Sequence, residues 1–185
     1  MSDTSREIAI ADTVRWLERA VIGLNLCPFA KGPHIKGQIH HAVSEAKGLE
    51  GLRDELIEEL QALQALPAEE RETTLLIVPQ LLQDFLDFND FLDEADALLQ
   101  ALDLEGTFQI ASFHPQFQFA GTAPEDITNF TNRSPHPTLH LIREASIDRA
   151  VQAFPEAEMI YEANMATLEK LGHAGWQALG VEATR

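Results

Sequence analysis

Apolar residues recur along the chain with two periods, and the order in which those periods alternate predicts the fold. From Ser5 to Leu24, Ile8, Ala11, Val14, Leu17 and Val21 return every three or four positions, with Trp16 and Ile22 beside the stripe, as the buried face of a helix requires. Gly23, Asn25 and Pro28 end it. "GQIHHAVSEA" then alternates with the period of a strand, with Ile39, His41 and Val43 on one face and His40 and Ala42 on the other. Leu49 to Leu66 is a second amphipathic helix, closed by Pro67. "TTLLIVP" is short, continuously apolar and β-branched at Ile77 and Val78, the pattern of a strand covered on both faces. Leu81 to Leu102 is a third long helix. "TFQIASF" and "PTLHLIRE" are two more strands. Ser146 to Phe154 and Pro155 to Leu171 are two closing helices, and the tail after Gly172 is expected to fray.

Strand–helix–strand units with helices of this length imply parallel crossovers. The expected fold class is therefore α/β: a small, mostly parallel (mixed) sheet of about four strands covered by helices, with a long irregular insertion before the last strand. A length of 185 residues fits one domain spanning residues 1–185.

Charge narrows the partners. The formal net charge is -17, which argues against nucleic acid, whose phosphates need Lys and Arg, and against an anionic membrane surface. No signal-peptide pattern opens the chain and no apolar run reaches the length of a membrane span. A single cysteine, Cys27, fits a reducing compartment, so a cytoplasmic location is expected. Lys31, Lys36 and Lys47 fall near His34, His40 and His41 and make one locally basic segment in an acidic molecule.

The run "QDFLDFNDFLDEAD" carries Asp84, Asp87, Asp90 and Asp93 but lacks the glycine and terminal glutamate of an EF-hand loop in register. Phe85, Phe88, Leu92, Ala95 and Leu99 form the apolar stripe of that helix, so the carboxylates read as its solvated face. No zinc-ligand spacing and no dinucleotide, Walker or nucleophile-elbow glycine pattern is present, so the residues name no metal and no cofactor.

Two segments remain. "GLNLCPFAKGP" is a helix exit that holds Cys27 near Lys31 and His34; a neighbouring positive charge lowers a thiol pKa, whereas a lone cysteine is more often a small buried apolar side chain. Phe113 to Pro137 is too irregular for helix or strand, and ordered domains seldom carry so long a loop without a use. "NFTNRS" gathers amide, hydroxyl and guanidinium donors, and Arg133 offers a planar fork for carboxylate or phosphate. Pro135 and Pro137 hold His136 in a stiff, extended backbone. The competing account is that these groups pin a long loop to itself.

"GLNLCPFAK" and "FHPQFQFAGTAPEDITNFTNRSPHPTLHLIRE" together resemble an uncharacterised bacterial family, domain of unknown function 1415. The resemblance covers nearly the whole chain and implies no activity, cofactor or catalytic residue. From the residues themselves, the expected function is a polar pocket for a small anionic ligand. Lys31, Asn129, Asn132, Arg133 and Ser134 are the candidate binding residues. Cys27, His114 and His136 are the candidate catalytic ones, if the protein is an enzyme using a Cys/His or His/Arg site. The alternatives are a non-catalytic acidic interaction protein and a metal-binding protein using Cys27 and histidines.

Overall fold

The computed structural model describes residues 2–153 and 159–184. Four strands, β1 (Ile39–Val43), β2 (Thr73–Ile77), β3 (Phe108–Phe113) and β4 (Thr138–Arg143), form one sheet in the order β1-β2-β4-β3. Helix α3 (Leu49–Ala65) joins β1 to β2, and α4 (Phe85–Ala101) joins β2 to β3. β1, β2 and β3 run in one direction, as such crossovers demand. β4 enters between β2 and β3, antiparallel to both. The α/β class, the four-stranded mixed sheet and the insertion ahead of the last strand are as expected. The balance of pairing is not: one pair is parallel and two are antiparallel. β4 separates strands that would otherwise lie side by side.

The strand period sorts side chains onto two unequal faces. Ala42, Leu76, Leu139 and Leu141 meet Leu52, Leu56, Leu60 and Leu63 of α3 and Phe88, Phe91, Ala95 and Leu99 of α4 in the main core. Burying each of these large side chains is worth about 1.5–3 kcal/mol. Asp84 caps α4, its Oδ1 accepting the N–H of Leu86 and Asp87. Asp87, Asp90 and Asp93 lie on the exposed side of α4, as its apolar stripe predicts.

The other face meets a second core. Helix α1 (Asp3–Trp16) continues as a π-helical segment, Leu17–Ile22, where one α-helix from Ser5 to Leu24 was expected. The buried residues Leu17 and Val21 of this segment are four apart, a spacing that fits an α turn as well as a π turn, so sequence periodicity does not distinguish the two. A Cβ at Gly23 would stand 2.3 Å from the Arg19 carbonyl oxygen, so only glycine fits this exit. Trp16, Leu17 and Val21 pack with Leu168 and Trp176 of α6 (Ile160–Ala178) and with Val181.

After Gly172 the chain continues as helix to Ala178 and packs back on the domain. Gly172 takes φ 65° and ψ 174°, a non-helical break, so α6 is two helical stretches that meet at a kink there. Trp176 and Val181 are then buried. Arg15 donates to the carbonyls of Gly180 and Glu182, and Arg19 to that of Leu179. Between β4 and α6 runs α5 (Glu144–Ala153). Phe154 and Pro155, the expected junction of the closing helices, lie outside the described residues. Among the described residues, no helix is long and apolar enough to cross a membrane.

Candidate functional site

The insertion, residues 114–137, is a tightly bonded scaffold. His114 is fully buried between the rings of Phe85 and Phe88, on the α4 side of the sheet. Its Nε2 lies 3.0 Å from the Leu82 carbonyl and its Nδ1 accepts the Gln116 N–H at 3.0 Å. Both ring nitrogens are therefore engaged, and burial holds the ring below its ordinary pKa. Asn129 is also fully buried: Oδ1 accepts from Phe119 N–H and Thr122 Oγ1, and Nδ2 donates to the Ala123 carbonyl. Asn132 donates to the Ser112 carbonyl, and Ser134 to that of His136. Arg133 lies over the Phe130 ring and donates from Nε to the Phe117 carbonyl and from a terminal nitrogen to that of Pro124. The donors that suggested an anion site close this loop on itself.

His136 reaches across to α1. Its Nε2 is 3.1 Å from Asp12 Oδ2, and Asp12 also accepts from Arg15, from Thr184 N–H and from Thr184 Oγ1. Burial pushes the Asp12 carboxyl up, but the bonds from Thr184, Arg15 and His136 outweigh it and hold the group below its ordinary pKa. This cluster ties the insertion, α1 and the C-terminal segment together. Lys31 opens the short helix α2 (Lys31–Ile35) and is exposed. Among the described residues, no group of three or more His, Cys, Asp and Glu is placed to hold a metal ion.

Cys27 lies elsewhere. It lines a cavity of about 330 Å³ between the second face of the sheet, the α1–π segment, the Cys27–Ala30 loop with the start of α2, and α5. Trp16, Leu17, Val21, Phe29, Ala30 and Pro33 form one wall. Ile39, Leu75, Ala111, Phe113 and Ile142 of the sheet form another, and Ile147, Ala150 and Val151 of α5 close over it. His140 sits among these residues, its ring 6.1 Å from that of Phe113. Among the described residues its nitrogens make no hydrogen bond. Burial alone pushes its pKa down to about 4, so the imidazole is neutral at pH 7. Burial also pushes the Cys27 thiol up, against weaker bonds from the Phe29 and Ala30 N–H groups. This is the reverse of an activated thiolate.

The sheet thus separates Cys27 from His114, which faces α4, while His136 joins Asp12 and does not line the cavity. A model of one protein family matches residues 8–178. The chain belongs to that family, described as a protein of unknown function (DUF1415). No curated protein and no solved structure matches the chain.

Of the cavity residues, sequence reasoning singled out only Cys27. The missed signal is His140, a histidine between Thr138 and Ile142 on one face of β4, opposite Leu75. A β-strand carries such a residue to a definite side of the sheet.

Two outcomes are expected. Arg133→Ala will destabilise the ligand-free protein by about 1.5–3 kcal/mol in urea unfolding, the scale of charge-assisted hydrogen bonds, and Arg133→Lys will restore little of it, because lysine lacks the fork that reaches two carbonyls. The second concerns pH. The unfolded His140 takes up a proton near pH 6.5, whereas the folded ring resists it until about pH 4. Between these values the unfolded chain binds more protons, so stability rises with pH, is complete above 6.5 and is lost as pH falls toward 4. His140 alone accounts for up to about 3 kcal/mol. Unfolding measured across that window will be less pH-dependent in His140→Phe than in the wild type; identical profiles would contradict the assignment.

Proposed function

We propose that this protein binds a small, predominantly apolar molecule in the cavity between the second sheet face and the α1–π segment. The observation that carries this reading is the wall itself: apolar and aromatic side chains from five separate parts of the chain converge on one concave space. Binding sites for small molecules commonly have this character, with few polar groups set in an apolar lining. Helix α5 supports it. None of its residues is buried, yet Ile147, Ala150 and Val151 line the cavity, and Arg149 meets Glu72 at 3.3 Å at the rim. Beyond its first residue, whose N–H donates to the Thr107 carbonyl, α5 is tied down by the half-exposed Arg149–Glu72 pair and a cavity-lining stripe, which makes it a natural point of entry.

An anionic ligand held by the insertion has less support, since Asn129, Asn132, Arg133 and Ser134 already have partners within the chain. Nucleophilic catalysis by Cys27 has less support because its thiol is held protonated. A lone half-buried thiol is compatible with a reducing cytoplasm, and the charge of -17 with a protein that meets neither nucleic acid nor an anionic membrane.

The test is direct binding of the neutral fluorescent probe N-phenyl-1-naphthylamine. Its emission should rise saturably with the wild type. Ala111→Phe, which places a ring in the cavity from the sheet side, should weaken binding by at least about tenfold, or about 1.4 kcal/mol, and leave the melting temperature within a few degrees. Equal binding by both proteins would place the probe elsewhere and remove the basis of the proposal.

A further inference from the structure

The lining of the cavity also limits the chemistry of its occupant. Of the residues that line it, none is Lys or Arg. Among the described lining residues, the one carboxylate is Glu72, paired with Arg149 of α5. A carboxylate or phosphate carried into this space would leave water without meeting a cation, and an unpaired buried charge is the most costly group to desolvate. The whole molecule, at -17, adds repulsion at a distance.

His140 supplies the opposite constraint. Its ring belongs to the middle of β4, beside Leu75 of β2 and Ala111 of β3, with Phe113 against it. Its nitrogens have no hydrogen-bond partner among the described residues, within a lining that is otherwise almost wholly apolar. A hydrocarbon filling the cavity would leave that imidazole unsatisfied, at the cost of an unmade bond. One uncharged hydroxyl, carbonyl or amide on the ligand would satisfy it, since a neutral imidazole offers one donor and one acceptor.

We infer that the cavity takes an uncharged, mainly hydrocarbon or aromatic molecule bearing a single hydrogen-bonding group, and that His140 is the residue that selects for that group. The inference rests on the reading of the cavity as a binding site. Burial supports it, because it keeps the ring neutral at pH 7 and so withholds the imidazolium an anion would seek.

The experiment uses three ligands of nearly one size: 1-naphthalenemethanol, 1-methylnaphthalene and 1-naphthoate. Each displaces N-phenyl-1-naphthylamine from the full-length protein at pH 7.5. The alcohol is expected to bind about tenfold more tightly than the hydrocarbon, the scale of one net hydrogen bond. The carboxylate should be the weakest of the three. His140→Phe, which keeps an aromatic ring in the wall, should bring the alcohol to the level of the hydrocarbon and leave the hydrocarbon unchanged. His140→Asn, which keeps a donor and an acceptor, should retain part of the preference. Naphthoate binding most tightly would overturn the inference while leaving the cavity as a binding site. An alcohol preference that survives in His140→Phe would overturn the role of His140. Failure of the probe and all three ligands to bind the folded wild type would overturn the proposed function, and this inference with it.

Discussion

β4 enters the sheet between β2 and β3, antiparallel to both, and the rest of the architecture has to accommodate that entry. The crossover through α4 leaves a gap one strand wide, because β2 and β3 run the same way without touching. Strands pair about 4.8 Å apart, so one further strand fills the gap. A two-residue turn could join β3 to the adjacent antiparallel β4, but this chain turns back through residues 114–137, and so long a segment needs internal order of its own. Asn129, Arg133 and the buried His114 supply it by binding backbone carbonyls and N–H groups that a long loop would otherwise leave unpaired. The same entry fixes His140 in the middle of the sheet.

The two faces of that sheet have different fates. Helices α3 and α4 bring leucine and phenylalanine stripes that seal the first face into one continuous core. The second face meets α1, the π segment and α6, which pack on one another through Trp16, Leu168 and Trp176; they reach the sheet at Ile39 and Phe113, and Ala9 of α1 packs on Val43 and Ile77. Packing satisfied within that helical group leaves part of the sheet uncovered. The cavity is the consequence, and α5, without a buried residue of its own, is what lies over it. At the far end of α1, the bonds joining Asp12 to His136, Arg15 and Thr184 hold the insertion and the C-terminal segment in place. Loss of the Asp12 charge in acid would loosen all three attachments together.

Much of this was legible in the sequence, and the gaps have physical causes. The stripes of α3 and α4 and the unbroken apolar run of β2 were readable because one burial pattern implies one secondary structure. The direction of β4 was not, since local pattern carries no information about which neighbours a strand joins. Gly172 read as a terminator and does break the helix, but a second helical stretch follows it, because Trp176 and Val181 are buried. At the candidate site, a polar, proline-rich loop draws attention because its residues can bind ligands, and those same residues bind loops. The cavity instead is built from ordinary apolar residues distant in sequence, with His140 hidden inside a plausible strand. A concavity is a property of what fails to pack, and no linear pattern records it.

The most direct measurement is a two-dimensional proton–nitrogen NMR titration of the full chain with N-phenyl-1-naphthylamine, read at the two indole N–H signals. The chain has two tryptophans. Trp16 lines the cavity, whereas Trp176 packs against Phe130 in the helical group behind it. Binding on the second face of the sheet predicts a saturable shift of the Trp16 signal, together with the amides of Ala111, His140 and Ala150, while the Trp176 signal stays nearly still. A shift centred on the amides of Asn129 to Ser134, with Trp16 unmoved, would contradict the account and return the ligand to the insertion.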